Sequence, residues 1–288
     1  MTPAFYRLLF ALAYTDKFPF VSFSRDSAFL HSARERLYRK HGLVTGNLEG
    51  LAIGLDVRDS VDLLCWIGRF ERELRAFLRT TVVRGATVID AGAHIGVYTH
   101  LFSRWVGPGG RVVAFEPEPA AASRLESSLR RNGCSNVQIH RTALGESEAR
   151  LQLHVTQDSA FSSLGTPVNG ATVVRRLPVA VTSLDEFCRR EGITHIDLLK
   201  MDLEGYEVPA LRGAAGLLKD GRVDLLAVEY NRAAQTGNGF DARALGSLLT
   251  AAGYSARAVT RQGLSEFVND GSAAYAELIC ARTSGKEA

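Results

Sequence analysis

An acid followed by a glycine-rich turn is the strongest chemical signal in the sequence. Asp90 closes a short apolar run over 87–91, and the spacing that follows is Asp-x-Gly-x-x-x-Gly. Gly92 allows a sharp turn and a close approach of a ligand to the backbone, while Gly96 lets the next helix pack near the sheet. Such a turn after the first strand of a doubly wound sheet is a ligand-binding position.

The residues of this turn indicate the charge of the ligand. A dinucleotide fold would carry Gly-x-Gly-x-x-Gly, whose N–H groups hold a pyrophosphate at a helix start. Asp90 would repel a pyrophosphate and suits a cationic ligand. S-adenosylmethionine has an ammonium and a sulfonium and no phosphate, so it fits this turn. Taken alone, the motif is also compatible with a turn that merely joins strand to helix.

A second carboxylate stands at the end of the next predicted strand. Glu116 closes the run 111–116, and its separation from Asp90 suits one helix plus one strand. A carboxylate at this position can accept hydrogen bonds from both hydroxyls of a ribose. A solvated acid at a strand end is the alternative, and the preceding glycine turn makes it the weaker one.

A third group of acids lies in the segment 199–207, Leu-Lys-Met-Asp-Leu-Glu-Gly-Tyr-Glu. The segment closes a strand and opens a helix, so its acids lie on the same rim as Asp90. Asp202 and Glu204 can face the substrate or the ammonium of the cofactor. Glu207 is equally compatible with a role at the helix N-terminus, where the helix dipole favours an acid.

Methyl transfer to an alcohol requires a base within reach of the hydroxyl proton. The candidates on the rim are His94, Asp202, Glu204 and Glu229. We expect Asp202 or Glu204 to be the catalytic base, whereas His94 more simply packs over the cofactor. The sequence has no metal-type spacing, so no metal is predicted. The rim acids nevertheless leave a Mg²⁺ ion open, as some O-methyltransferases use one to position paired oxygens.

Alternating strands and helices must position these residues. Short apolar runs with little polar alternation predict buried parallel strands over 87–91, 111–116, 136–140, 196–202 and 223–230. Helices are predicted between them, over 96–105, 119–131, 183–190 and 207–219. Added strands are predicted over 150–156 and 173–181, and near the C-terminus a helix at 241–252 precedes an antiparallel edge pair at 255–260 and 274–281. The alternation indicates a doubly wound α/β domain.

Bulk properties limit the classes of partner. The chain has 288 residues, which suits one α/β domain with an extension. We expect a mainly helical N-terminal extension over 1–69, with helix-like patches such as 26–40, and a catalytic domain over 70–288. A net charge of +3 is too small to indicate a nucleic-acid partner. Scattered cysteines and the lack of an 18-residue apolar run predict a cytoplasmic chain with no membrane span.

Together these motifs resemble the FkbM family of methyltransferases, over about 70–282. The hallmarks are the segments 88–96, 114–117, 143–146, 182–187 and 196–207, with a further acid at Glu229. The resemblance implies a Rossmann-like sheet of about seven strands of the class I methyltransferase type, and S-adenosylmethionine as methyl donor. The cofactor-binding residues it implies are Asp90, Gly92, Ala93, His94, Gly96, Glu116, Pro117, Ala143 and Asp202. Position 94 is often asparagine in the family.

The resemblance also implies a hydroxyl acceptor on a sugar, glycan or natural product. Two alternatives remain open: an NAD-type oxidoreductase on the same sheet, and a non-catalytic nucleoside-binding protein. The polar loop 157–169 and the N-terminal extension are the expected sources of acceptor specificity, with the loop acting as a lid. The oligomeric state is not readable from the sequence, and a homodimer is left open.

Overall fold

The computed structural model describes residues 2–13, 28–167 and 171–283. The chain divides into two compact units, Met1–Arg72 and Glu73–Ala288. The sequence had placed its boundary nearby, between residues 69 and 70. The start of the predicted helix 26–40 and the end of the predicted loop 157–169 lie outside the described residues.

The first unit combines helices with a β-hairpin. Its elements are α1 (Pro3–Ala13), α2 (Ala28–His41), β1 (Val44–Leu48), β2 (Leu51–Leu55) and α3 (Ser60–Trp66). The hairpin is closed by Glu49 and Gly50, both at positive φ (51° and 90°), as a two-residue turn with the right twist requires. This hairpin was not predicted from the sequence, because each strand has only five residues and too few alternations to stand out.

The second unit contains most of the strands. In chain order these are β3 (Thr87–Ala91), β4 (Arg111–Phe115), β5 (Val137–His140), β6 (Ala143–Leu144), β7 (Ala149–Thr156), β8 (Val173–Thr182), β9 (Ile196–Met201), β10 (Val223–Asn231), β11 (Tyr254–Thr260), β12 (Gly263–Glu266) and β13 (Tyr275–Arg282). The main sheet has eight strands in the order β12-β11-β13-β10-β9-β3-β4-β5. It contains the predicted seven strands and adds β12 at the edge. The predicted antiparallel pairing of the C-terminal strands is confirmed as β11 with β13.

Helices alternate with the strands of this unit. They are α4 (Arg72–Thr81), α5 (Val97–Val106), α6 (Pro119–Arg131), α7 (Leu184–Glu191), α8 (Glu207–Arg212), α9 (Ala215–Lys219), α10 (Arg232–Gly237) and α11 (Ala244–Ala251). The single helix predicted over 207–219 is in fact two, α8 and α9. They separate at Gly213, where an added Cβ would collide with the carbonyl oxygen of Gly145. Within the described ranges, no helix is both long and apolar enough for a membrane crossing.

Two of these helices begin at the residues that the sequence indicates. Pro119 occupies the first turn of α6, where its missing N–H leaves no bond unmade. Ser183 caps α7 by accepting a hydrogen bond from the N–H of Glu186 at 3.3 Å. The central strand β3 is buried, and a large apolar cluster that includes Ile89 and Leu199 packs there. Burial of both sheet faces explains why these strands show little polar alternation.

The two added strands, β7 and β8, form a separate three-stranded sheet together with β6, in the order β6-β8-β7. β7 and β8 are antiparallel, with an irregularity at Val155/Thr156. A 3₁₀ turn at Ser159–Phe161 follows β7. This small sheet carries the loop that the sequence analysis proposed as a lid.

The register of the main sheet brings four strand ends to one edge. Ala91 pairs with Phe115 on one side and with Met201 on the other, and Met201 also pairs with Val228. The residues that follow each of these are therefore neighbours. The predicted rim of acids is the carboxyl edge of four parallel strands, which is the ligand-binding edge of such sheets.

Candidate functional site

Asp90 is a deeply buried acid at this edge. It is only 1% exposed, and its Oδ2 accepts a hydrogen bond from the Thr99 hydroxyl on α5 at 2.5 Å. Its Oδ1 is buried without a hydrogen-bond partner among the described residues. Burial raises the pKa of Asp90, against the opposing charge of Lys200. A buried, unpaired oxygen is costly, and a ligand that donates a hydrogen bond here would satisfy it.

The turn after Asp90 depends on its two glycines. Gly92 has φ of 82°, and a Cβ there would collide with the backbone oxygen of Asp202. Gly96 has φ of 85° and directly precedes α5. A Cβ on Gly96 would run into the side chain of Leu125. Both glycines therefore allow close packing in addition to their positive φ.

Glu116 holds the glycine turn in place from the neighbouring strand. Its Oε2 accepts from the backbone N–H of His94, and its Oε1 accepts from the N–H of Glu118, both at 2.7 Å. Burial raises the pKa of Glu116, while the charge of His94 and the two N–H donors lower it. Each carboxylate oxygen has two acceptor lone pairs, so one remains on each oxygen for a ligand hydroxyl.

The segment after β7 contacts both parts of the edge. His94 Nε2 lies 2.8 Å from the Ser159 hydroxyl, and the Ser163 hydroxyl donates to the backbone oxygen of Glu204 at 2.9 Å. His94 itself has φ of 50°, a left-handed conformation. The part of the predicted lid that is described thus touches the glycine turn and the loop after β9. Its opening and closing remain a prediction.

The loop after β9 carries the predicted base residues. Asp202 Oδ2 lies 3.2 Å from the buried Nζ of Lys200, which also sits 4.8 Å from the centre of the Tyr98 ring. Glu204 has φ of 51°, a conformation that non-glycine residues adopt only when their surroundings impose it. Burial and the charges of Asp202 and Glu207 raise the pKa of Glu204 well above its ordinary value.

Glu207 stabilises this loop through hydrogen bonds to its backbone. Its side chain is fully buried, and its Oε1 accepts from the N–H groups of Leu203 and Gly205 at 2.7 and 3.3 Å. Burial raises the pKa of Glu207 to about 7. Glu207 lies in the first turn of α8, which agrees with the role at a helix N-terminus considered from the sequence. From there its carboxylate also fixes the conformation of the loop around Glu204.

Glu229 brings a further acid to the same place from β10. It is 7% exposed, and one carboxylate oxygen each from Asp202, Glu204 and Glu229 lie within 4.8 Å of one another. Burial and the neighbouring acids raise the pKa of Glu229 well above its ordinary value. The sequence had named all three as rim acids, and the structure places them together.

The other predicted cofactor residues occupy different positions. Ala93 is buried within the turn, and Pro117 follows Glu116 in a half-buried position. Ala143 lies in β6, where its side chain packs in the apolar cluster of the small sheet. Their contacts with a cofactor remain predictions.

Three positioning residues were not predicted: Thr99, Lys200 and Ser159. Lys200 lies inside the segment 199–207, so its position two residues before Asp202 was visible in the sequence. The partners of Thr99 and Ser159 are nine and 65 residues away. Single-sequence periodicity carries no signal for contacts of that kind.

Comparison with known proteins identifies the domain. The family model of the methyltransferase FkbM domain matches residues 90–256, which is more than half of the chain. The chain belongs to this family, as the motifs indicated, and the domain is an S-adenosylmethionine-dependent methyltransferase domain.

Two curated relatives match part of the chain. "Methyltransferase 1" of Beauveria bassiana is 29% identical over 143 residues, which are 44% of this chain and 57% of that protein. The "2-O-methyltransferase NoeI" of Sinorhizobium fredii is 23% identical over 139 residues, 44% of this chain and 56% of that protein. The chain thus spans little more than half the length of these relatives.

Solved structures with a similar chain trace include methyltransferases. A putative rRNA-methylase from Clostridium thermocellum has a TM-score of 0.46 at 13% identity, over 74% of this chain and 94% of that chain. An O-methyltransferase from Bacillus cereus in complex with SAH has a TM-score of 0.41 at 15% identity, over 73% and 79% of the two chains.

The residues at the strand ends fit S-adenosylmethionine. Asp90 Oδ1 is buried and lacks a partner among the described residues, so it can accept from a donor on the cofactor. Glu116 keeps one lone pair on each oxygen, as a ribose diol requires. Gly92 packs against the backbone of Asp202 and shapes the turn between the two carboxylates.

Proposed function

We propose that this protein transfers the methyl group of S-adenosylmethionine to a hydroxyl of a sugar, glycan or natural-product small molecule. The observation that carries the proposal is the pair of buried carboxylates, Asp90 and Glu116, on either side of the Gly92 turn. The nature of the acceptor is supported by the relative named as a 2-O-methyltransferase.

Each residue of the proposed cofactor site has a distinct task. Asp90 Oδ1 accepts from a donor group of the cofactor, and Glu116 accepts from both ribose hydroxyls. Asp202 faces the ammonium group. The remaining proposed contacts come from the turn and its surroundings: Gly92, Ala93, His94, Gly96, Pro117 and Ala143. The bound cofactor supplies an electrophilic methyl on a sulfonium, and the protein orients the acceptor against it.

Removal of the acceptor proton is assigned to the loop after β9. A carboxylate is an effective base at neutral pH when burial raises its pKa towards that pH. The pKa of Glu204 is raised in this way, whereas Asp202 is ion-paired with Lys200. We therefore favour Glu204 as the base and keep Asp202 as the second candidate, acting either on the proton or on the orientation of the acceptor.

An open cavity of about 520 Å³ adjoins this loop and is our candidate for the acceptor site. The side-chain amide of Asn238 in its wall donates to the backbone oxygen of Gly205 at 3.1 Å. The lining mixes aromatic rings with charged and polar groups, including Tyr206, Phe240, Glu146, His154 and Arg212. Such a mixture suits a polyhydroxylated ligand, which offers both apolar faces and hydroxyls.

The direct test is a screen for transfer of a labelled methyl from S-adenosylmethionine into a panel of glycosides and polyketides. Label should appear on a hydroxyl oxygen of at least one acceptor. Glu204→Gln should lower kcat about 10²- to 10⁴-fold, the usual contribution of a general base, with little change in cofactor affinity. Cofactor binding without transfer to any hydroxyl in the panel, or transfer to nitrogen, would contradict the proposal.

The acceptor cavity has its own test. Arg212→Gln removes a charge from the lining and should raise the KM for the acceptor without changing the Kd for the cofactor. As a matched control, Arg130→Gln changes an exposed arginine of α6 that pairs with the exposed Glu126. If Arg212→Gln leaves the acceptor KM unchanged, the acceptor binds elsewhere.

A further inference from the structure

Three carboxylates from two neighbouring strand ends converge on one point. Asp202 and Glu204 follow β9, and Glu229 lies in β10 beside them because Met201 pairs with Val228. One oxygen from each lies within 4.8 Å of the other two. The site is thus built by the parallel register of the sheet together with the strained loop at Glu204.

Glu229 carries a buried carboxylate oxygen that lacks a partner. Its side chain is more than nine-tenths buried, yet its Oε2 has no hydrogen-bond partner within the described ranges. Glu277 stands directly opposite on β13 and adds a fourth acid. A buried carboxylate without a partner is strongly unfavourable, and like charges beside it increase the cost.

The cations near this point do not neutralise it. Lys200 makes its ion pair with Asp202 Oδ2, and across the described part of the chain no ion pair reaches Glu204 or Glu229. The hydroxyl of Tyr275 donates a hydrogen bond to Glu277. Among the described residues, Lys200 is the lysine beside these four acids, and its pair is with Asp202.

We propose that Asp202, Glu204 and Glu229 bind one hard divalent cation of the Mg²⁺, Mn²⁺ or Ca²⁺ class. Two ligand oxygens on one ion are separated by at most twice the metal–oxygen distance, about 4.2 Å for Mg²⁺ and about 5 Å for Ca²⁺. Oxygens that all lie within 4.8 Å of one another are close enough to share one ion of this class. The sequence showed no metal-type spacing and left a Mg²⁺ ion on the rim acids open, because Glu229 is separated from Asp202 and Glu204 by a whole helix–strand unit.

Three protein ligands leave coordination positions for oxygens of water or substrate. If the proposed function holds, these positions face the acceptor, and the ion would fix a hydroxyl or a pair of acceptor oxygens close to the methyl donor. With the ion bound, Glu204 and Asp202 would act on the acceptor as ligands of the ion, and the role of free base assigned above would apply to the ion-free protein. This consequence rests on the proposed function, whereas binding of the ion does not.

A second group of potential ligands provides a control. His195, Asp197 and Asp224 also lie within ligand distance of one another, at the opposite ends of β9 and β10. Their groups are already engaged: Asp197 Oδ2 accepts from the N–H of Thr87 at 2.7 Å, and His195 Nε2 contacts Asp224 Oδ2 at 3.0 Å. Their exposure and existing bonds give no reason for an ion there.

The test is Mn²⁺ binding to the full chain, measured by electron paramagnetic resonance and calorimetry with neither cofactor nor acceptor present. We expect one Mn²⁺ per chain, with Mg²⁺ and Ca²⁺ competing in separate arms that show which ion is preferred. Glu229→Gln and Glu204→Gln should each weaken Mn²⁺ binding at least tenfold, while Asp224→Asn leaves it unchanged. Retained S-adenosylhomocysteine binding shows that a variant is folded, and two variants guard against the misfolding of one.

The opposite results would overturn the proposal. These are no Mn²⁺ binding to the wild type, binding that both glutamine variants leave unchanged, or binding that Asp224→Asn abolishes. The outcome is separate from that of the proposed function. Mn²⁺ binding without methyl transfer would leave the ion site standing and remove the function, and hydroxyl methylation without Mn²⁺ binding would do the reverse.

Discussion

The substitution Glu116→Gln tests the role of the second strand-end carboxylate. It keeps the size of the side chain and replaces one acceptor oxygen by an NH₂ group. In the wild type both oxygens accept backbone N–H groups, from His94 and Glu118, at 2.7 Å. In the variant the NH₂ must face one of these donors, so one charge-assisted bond to the turn is lost and a ribose hydroxyl loses its acceptor.

The expected magnitude follows from the loss of one such bond. A hydrogen bond to a charged group contributes about 1.5–3 kcal/mol, so the Kd should rise about 10- to 140-fold. The assay is isothermal calorimetry with S-adenosylhomocysteine, at a temperature where the variant is folded by circular dichroism.

Glu126→Gln is the matched control for this measurement. Glu126 is an exposed residue of α6 that pairs with exposed arginines, so its substitution should leave the Kd unchanged. A Kd for Glu116→Gln within twofold of the wild-type value would refute the reasoning about the strand-end carboxylate.

Three further predictions concern residues around the turn. Asp90→Asn should weaken S-adenosylhomocysteine binding by ~1–3 kcal/mol in calorimetry, and an unchanged Kd would remove Asp90 from the site. Gly92→Ala should lower the free energy of unfolding in urea by at least about 1–2 kcal/mol, the cost of a left-handed alanine, because the added Cβ also meets the backbone of Asp202; equal stability would show that the turn is not constrained. Burial lowers the pKa of His100 below its ordinary 6.5, so the unfolded state takes up the proton first and stability should fall as the pH drops below 6.5. An NMR titration that gives His100 a pKa at or above 6.5 would contradict this.

Sequence patterns predicted the elements that are buried on both faces. β3 and β9 are short apolar runs that end in the turn around Gly92 and the loop around Glu204. Glycine and acids at the ends of such runs mark the edge where ligands bind. For this reason the four strand ends, and the acids that follow them, could be placed together before the fold was known.

Contacts between distant segments could not be predicted in this way. Thr99 on α5 reaches back to Asp90 on β3, and Ser159 reaches His94 from the 3₁₀ turn after β7. The division between α8 and α9 depends on the close approach of Gly213 to Gly145. Periodicity describes which face of one element is buried, and it does not specify which other element covers that face.

The central claim is that the carboxyl edge of the sheet holds a cationic nucleoside instead of a dinucleotide. Parallel calorimetric titrations of the purified protein with S-adenosylmethionine and with NAD⁺ test it most directly. We predict one S-adenosylmethionine bound per chain and no heat of binding from NAD⁺. Saturable binding of NAD⁺, or no binding of S-adenosylmethionine, would contradict the account.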